Sequence, residues 1–390
     1  MPQHRRRIII LSYLSFLTLG LGGSAIGPSL PTLAGQVDVG LDAVGGLVSS
    51  LSVGYLIAGL VAGPLIDTIG RRPVYLAALG MQAFSLPAIL GAPSLTMEML
   101  AAFFLGLGQG GIDVVVHVVM GDATDQDRGA SLNRLHVLFG VGALIGPALT
   151  GYGLTALGSL WPAFGFIAAL TFLLALGVAL TPLPTQSLTH RSAASSGARA
   201  IVSDHAFWAL GAFFFLYVGL EVGLGTWTFA FLSEGLGAEV TLASWAASGF
   251  YLALTGGRLL GSRLVGRRVT DERAVLIGVG GGVVGGLLLV TGGVLSAAPL
   301  LIAAVLVVGF CFGPIYPTTM GVAQRRYPGA TGTAVGLLTA GAGLGATSLP
   351  WLQGRLLARG GLSWGVAATG VGALALLAVA TAAIPQRIKS

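Results

Sequence analysis

The sequence predicts an all-α membrane protein with twelve transmembrane helices in two pseudo-symmetric six-helix bundles. Three observations carry that prediction. The chain has 390 residues, of which 54% are hydrophobic and 9% charged, whereas soluble globular proteins carry roughly 25% charged residues. Its mean hydropathy is +0.88. A bilayer core about 30 Å thick takes roughly 20 apolar residues per helix, and about twelve stretches of that length follow one another. Finally, three short patterns recur in the same order at an offset of about 200 residues, as duplicated transporters do.

The first apolar stretch, 8–33, follows Arg5, Arg6 and Arg7. It is too long for a secretion signal and lacks a small-residue cleavage site, so it reads as the first spanning helix. Stretches at 43–66, 73–93, 97–121, 131–157 and 162–183 complete a first half, residues 1–183. The segment 184–204, "PTQSLTHRSAASSGARAIVSD", is polar and rich in Ser, Ala and Arg, and reads as a cytoplasmic linker. A second half, 205–390, holds stretches at 205–233, 240–262, 274–297, 299–323, 331–357 and 362–384. Pro314 and Pro317 are expected to break or kink the tenth helix. The 63 glycines suit close helix approach in lipid. The single Cys311 excludes an intramolecular disulfide and reads as a packed thiol.

The repeats support the halves. "VVMG" ending at Gly121 answers "TTMG" ending at Gly321, "GVGALIGPALTG" from Gly140 answers "GAGLGATSLPWLQG" from Gly341, and "TIGRRP" around Gly70 answers "LVGRRV" around Gly266. Twelve spans place loops alternately on two sides. Of the 20 Lys and Arg residues, 17 fall on the side of the N-terminus, Arg355 and Arg359 fall opposite, and Arg258 lies within a span. The positive-inside rule then puts both termini in the cytoplasm of a cell whose inner (plasma) membrane holds the protein. The net charge of +6 follows from this topology and calls for lipid headgroups, not nucleic acid, as its partner. With no phosphate-binding loop, no Cys/His cluster at ligand spacing and no appended domain, no cofactor and no metal are expected, and the chain does not read as an enzyme.

The acidic residues sort by place. Asp38, Asp42, Glu98, Glu234 and Glu239 are assigned to outer loops, and Asp67, Asp122, Asp125, Asp127, Asp204, Asp271 and Glu272 to the cytoplasmic side. Of the 14, this leaves Asp113 and Glu221 inside spans. An ionised group at the bilayer centre costs at least ~2.5–3.5 kcal/mol, so such acids mark ion or substrate pathways. In "GQGGIDVVVHVVMGD", Asp113 and His117 are four residues apart and share a helix face. Desolvation raises a carboxyl pKa and a nearby imidazolium lowers it, a balance that suits taking and releasing a proton. Glu221 sits in "FLYVGLEVGLGTW" among Gly219, Gly223 and Gly225. Trp227 beyond it is either a stacking face for a sugar ring or a membrane-interface anchor.

Between the second and third stretches, "GPLIDTIGRRP" supplies Gly63, Leu65, Asp67, Gly70, Arg71 and Arg72 in a G-x-L-x-D-x-x-G-R-R pattern. This resembles the cytoplasmic signature of the major facilitator superfamily, and the resemblance implies that fold, transport by alternating access and a conformational latch at these residues. Gly63 permits close helix approach, and Asp67 can cap a helix end or pair with an Arg. The second copy has Arg263 where Asp67 would fall, so it is degenerate.

"GGIDVVVHVVMGD", "SLNRLHVLFGVGALIGP" and "YVGLEVGLGTW" together resemble the sugar–proton symporter branch of fucose, galactose and glucose carriers. That resemblance implies that Asp113 is the fourth-helix proton-binding acid, with His117 where the branch commonly has Asn. It implies that Asn133 and His136 form a polar pair meeting sugar hydroxyls, and that Glu221 is the seventh-helix acid of the glucose-carrier-like members. Gln109 and Tyr251 are further substrate-binding candidates, beside Tyr316, Gln324 and Trp351. Two departures stand out: the first helix has no acid, and the fourth lacks the Arg of many proton-coupled facilitators. The expected partners are a small molecule, a sugar by this resemblance, a proton or sodium ion, and the bilayer. The alternative is a proton-coupled efflux antiporter for drugs or metabolites, because "GVGALIGPALTG" also resembles the fifth-helix antiporter signature.

Overall fold

The computed structural model describes residues 2–39, 41–124, 128–183 and 201–384, and these are almost wholly helical. The first half of the chain forms α1 (Pro2–Gln36), α2 (Leu41–Ile69), α3 (Arg71–Leu90), α4 (Leu95–Ala123), α5 (Arg128–Leu157) and α6 (Trp161–Leu180). The second half forms α7 (His205–Leu236), α8 (Val240–Leu264), α9 (Asp271–Val294), α10 (Ala298–Phe312), α11 (Ile315–Arg326) and α12 (Thr331–Ala383).

Among the described residues, eleven helical stretches are long and apolar enough to cross a membrane. The remaining expected span is α8, which carries Arg258 and Arg263. One of the eleven, Ala298–Arg326, is α10 and α11 together, broken at Gly313 and Pro314. Pro314 has no N–H to continue the hydrogen-bond ladder. The long α12 is two spans, Thr331–Leu357 and Arg359–Ala383, joined across Gly361. Gly361 has φ 66° and ψ −163°, a backbone conformation that only glycine adopts without strain. Of the expected linker, residues 184–200 lie outside the described residues. Its last residue, Asp204, caps α7 by accepting from the Ala206 N–H at 2.9 Å.

The chain divides into two compact units. The first comprises Met1–Asp125, Leu135–Ile201 and Tyr327–Ala340. Here α4 packs on α1, α2 and α3, and α6 packs on α1 and α3. Glycine makes this possible: a Cβ at Gly106 would lie 2.0 Å from the Leu51 carbonyl oxygen of α2, and one at Gly108 would lie 2.7 Å from the Gln82 nitrogen of α3. Buried polar bonds tie neighbouring helices, with Ser15 and Tyr75 hydroxyls 2.7 Å apart and Gln82 donating to Thr171 at 3.1 Å.

The second unit comprises Gln126–Arg134, Val202–Arg326 and Gly341–Ser390. In it α10 packs on α8 and α9, and α7 packs on α8. The α8–α10 approach is again backbone to backbone: a Cβ at Gly257 would lie 2.0 Å from the Phe310 oxygen. In both units large apolar side chains such as Phe84, Leu144, Leu180 and Leu252 stay exposed, as lipid-facing residues do.

One assignment from the sequence changes. Glu98, expected in an outer loop, lies in the first turn of α4 and is fully buried, with neither carboxylate oxygen hydrogen-bonded. The helix begins at Leu95, earlier than the apolar run suggested, because Ser94 and Leu95 start the turn that Glu98 completes. An acidic residue in the first turn of a helix complements the helix dipole.

Candidate functional site: buried titratable groups on α4 and α7

Asp113 lies within one turn of Gly110, which with Gly106 seats α4 against α2. A Cβ at Gly110 would fall 2.7 Å from both the Tyr55 oxygen and the Ala58 Cβ, so only glycine lets α2 come this close. The approach delivers the Tyr55 hydroxyl to Asp113 Oδ2, to which it donates at 2.9 Å. Asp113 is 3% exposed and His117 is fully buried. His117 Nδ1 stands 2.7 Å from the Asp113 main-chain oxygen and 3.2 Å from Asp113 Oδ1. Both are acceptors, so Nδ1 carries the proton.

That assignment leaves His117 Nε2 as an acceptor in the neutral ring. Opposite it, at 3.1 Å, is His136 Nε2 of α5. With both rings neutral, His136 donates; for His117 to donate from Nε2, His136 must carry its own proton on Nδ1 and accept at Nε2. Phe16 of α1 sets its ring edge against both imidazoles, with centroids 5.3 Å away in each case, and walls the pair with apolar surface. Tyr55, Asp113, His117 and His136 thus form one connected chain inside the first unit. Gln109, one turn before Asp113, is buried against Gly22 and Gly23 of α1, and its Nε2 has no hydrogen-bond partner.

At the α2–α3 end of the same unit, Asp67 is 1% exposed and caps the start of α12. Its Oδ1 accepts from the Gly332 N–H at 3.1 Å, and its Oδ2 accepts from the Thr333 N–H and hydroxyl, each at 2.7 Å. A carboxylate at a helix N-terminus meets unpaired N–H groups and the positive end of the dipole. Glycines let the backbones touch: a Cβ at Gly63 would lie 2.1 Å from the Gly332 oxygen, and one at Gly336 would lie 2.3 Å from the Gly59 oxygen. Gly70, at φ 94°, ends the turn before α3. Arg71 then pairs with Asp122 at the end of α4, at 2.5 Å, while Arg72 is exposed.

In the second unit, Glu221 meets Arg258 of α8, whose Nη2 is 3.3 Å from Oε1. Arg258 is 6% exposed, and its Nε has no partner. The Tyr217 hydroxyl, one turn back on α7, faces both Glu221 Oε2 and, at 2.9 Å, the Phe312 carbonyl where α10 ends. The glycines around Glu221 are filled by protein: Leu349 lies against Gly219, Gln353 against Gly223, and the Tyr251 hydroxyl against Gly225. Trp227 donates from Nε1 to the Pro350 carbonyl at 2.8 Å, and its ring covers Gly354.

The model of the Major Facilitator Superfamily matches residues 12–346 of this sequence. The chain belongs to the major facilitator superfamily. It is 24% identical over 378 residues to Bypass of stop codon protein 6 of Saccharomyces cerevisiae, covering 89% of this chain and 76% of that protein. It is 23% identical over 276 residues to Sodium-dependent glucose transporter 1A of Mus musculus, covering 61% of this chain and 64% of that protein. A crystal structure of the E. coli fucose:proton symporter FucP superposes with a TM-score of 0.79 at 15% identity, covering 95% of this chain and 97% of that one. This facilitator is accordingly a multi-pass membrane transporter and not an enzyme.

The fold of this facilitator brings together some of the residues singled out in the sequence and separates others. Asp113, His117 and His136 join in one chain. Asn133 and His136, expected as a pair, take different partners: Asn133 donates to the Gly129 oxygen and to Thr318 Oγ1, both at 2.9 Å, within the second unit. Its Oδ1 packs against Gly261 without a hydrogen bond. Trp227 meets α12 through its N–H, bonded to the Pro350 carbonyl, and through its ring beside Gly354. Sequence reasoning missed Tyr55, Tyr217, Thr318 and the pairing of Arg258. A lone arginine in a span was a readable signal, and Tyr217 is four residues before Glu221 on the same helix face. Tyr55 and Thr318 carry no such mark.

Proposed function

We propose that this facilitator takes up a hexose-like sugar by alternating access, coupled to protons, with Asp113 as the coupling carboxylate. The observation that carries the reading is the buried line Tyr55–Asp113–His117–His136. An isolated charge at this depth costs at least ~2.5–3.5 kcal/mol, and the Asp113 carboxylate accepts from the Tyr55 hydroxyl and lies 3.2 Å from His117 Nδ1, whose hydrogen goes to the Asp113 main-chain oxygen. The imidazole beside the carboxylate and the ring next to it offer a route by which the proton comes and goes. Protonation removes the charge and favours substrate binding; loss of the proton after release resets the carrier. A ligand moves such an equilibrium only through its different affinities for the two states.

His117 and His136 relay the proton, and Glu221 takes a second coupling role. Gln109 contributes to the sugar site: its buried, unpaired Nε2 is the kind of donor that a hydroxyl satisfies. Asn133, Trp227 and Tyr251, in the second unit, are the further substrate-binding candidates. Gly63, Asp67, Gly70, Arg71 and Arg72 form the latch that opens during transport, in the expected cytoplasmic position, with 1–183 and 205–390 as the two moving halves. The plasma membrane, with both termini cytoplasmic, is the location that the arginine distribution supports. The resemblance to a sodium-dependent glucose transporter and to a fucose:proton symporter fits a sugar cargo and keeps sodium as the rival ion.

The test is uptake in liposomes. Purified protein is offered labelled hexoses under an inward proton gradient, an inward sodium gradient, or none. Accumulation of one sugar under the proton gradient supports the reading, and accumulation under sodium alone replaces the ion. No hexose flux in folded protein shifts the weight to export of drugs or metabolites.

A further inference from the structure

Arg258 is not used by the mechanism just described, and its situation is unusual. It is 6% exposed in an apolar helix, it makes one long bond to Glu221 at 3.3 Å, and its Nε donor is buried with no acceptor. A guanidinium offers a planar fork that two oxygens of one carboxylate can occupy together. Glu221 sits on one end of that fork only. The titratable groups facing Glu221 are Tyr217 on its own helix and Tyr251 and Arg258 on α8, with Tyr316 of α11 acting on Tyr217.

Hydrogen counting at Tyr217 adds a second observation. Its hydroxyl has one hydrogen and faces two acceptors, Glu221 Oε2 and the Phe312 carbonyl. With Glu221 ionised, one of the two goes without. With Glu221 protonated, the carboxyl O–H donates to the Tyr217 oxygen, the Tyr217 O–H donates to Phe312, and every group is satisfied. The same side chains thus accommodate Glu221 with or without a proton, and a neutral Glu221 leaves Arg258 as a buried cation with an open fork.

We propose that Arg258 anchors a carboxylate of the transported substrate, with Glu221 as the counter-ion that gives way when it takes a proton. The substrate class is then a sugar acid, a hexose bearing a carboxylate. The inference rests on the uptake reading above and names the cargo more narrowly. Charge balances at each stage: Arg258 with ionised Glu221 when empty, and Arg258 with the substrate carboxylate and protonated Glu221 when loaded. One proton enters with each anion, so this step is electrically neutral.

The experiment offers D-glucose, D-galactose, D-glucuronate and D-galacturonate to the protein in detergent and in liposomes. Binding is read as ligand-induced thermal stabilisation, and transport as uptake under an inward proton gradient. The expected result is binding and accumulation of a hexuronate, with binding that weakens as pH rises. Arg258→Gln lowers hexuronate affinity by at least about tenfold, as loss of a charge-assisted pair requires. Glu221→Gln, a permanently neutral stand-in, binds hexuronate with little pH dependence. The double variant Arg258→Gln/Glu221→Gln leaves no unpaired charge and folds, yet does not bind hexuronate. Proton-driven uptake of a neutral hexose with no hexuronate binding overturns the inference and leaves the uptake reading standing. Hexuronate binding that the folded double variant retains also overturns it, because the pair is then a helix-packing bridge. Binding of neither class sinks both readings.

Discussion

Asp67→Asn tests the latch at the bond level. Three donors converge on the Asp67 carboxylate: the Gly332 N–H at 3.1 Å, and the Thr333 N–H and hydroxyl at 2.7 Å. Hydrogen bonds to a charged group contribute about 1.5–3 kcal/mol each. An asparagine can place its oxygen where Oδ2 stands and keep the two Thr333 bonds, now as neutral ones. Its amide N–H₂ then points at the Gly332 N–H, donor against donor. The lost bond alone is worth about 1.5–3 kcal/mol, and the two weakened ones add to it, so the local equilibrium shifts by at least about 2 kcal/mol, or roughly 30-fold. Hydrogen–deuterium exchange read on peptides covering 331–340 measures this directly. The first-turn amides of α12 should exchange at least about 30-fold faster in the variant, while α4 peptides stay as protected as before. Arg268→Gln, on an exposed side chain between α8 and α9, is the control. Unchanged protection at 331–340 in Asp67→Asn would refute the cap as an energetic element.

Other substitutions probe separate parts. Gly63→Ala places a Cβ 2.1 Å from the Gly332 oxygen, so α2 and α12 must part by more than about 1 Å. Its melting temperature should fall by several degrees, whereas Gly80→Ala, with open space around it, should melt as the parent does. Tyr55→Phe removes the 2.9 Å donor to Asp113 and keeps the ring; gradient-driven uptake should slow severalfold while substrate-for-substrate exchange persists. Equal loss of both activities would count against a coupling role. Trp227→Phe deletes the bond to the Pro350 carbonyl, about 1 kcal/mol, so stability should drop while KM stays put. A raised KM at unchanged stability would return Trp227 to the substrate.

The membrane class and the helix number were legible because bilayer thickness imposes a length and an apolar character on each span. The helix cap at Asp67 was legible in part. The pattern around Asp67 marked its importance, and capping was one of two roles foreseen for it. That the capped helix begins at Thr331 depends on a fold contact 265 residues away, which no local spacing encodes. The Asp113–His117 relation followed from four-residue spacing on one helix. The third member, His136, was visible as a polar residue but its partner was not, since α4 and α5 meet through tertiary packing. Glu98 went the other way: a short apolar run hid the start of α4 and put a buried acid in a loop. Arg258 and Glu221 were each visible alone, 37 residues apart, and only the approach of α7 to α8 makes them a pair.

The most direct test of the coupling account is the Asp113→Asn variant in liposomes, compared with the parent in two assays on one substrate. The expected result is that the variant no longer accumulates substrate under an inward proton gradient, yet still exchanges internal for external substrate at a measurable rate. Gradient-driven accumulation at the parent level in Asp113→Asn would contradict it and remove Asp113 from the proton pathway.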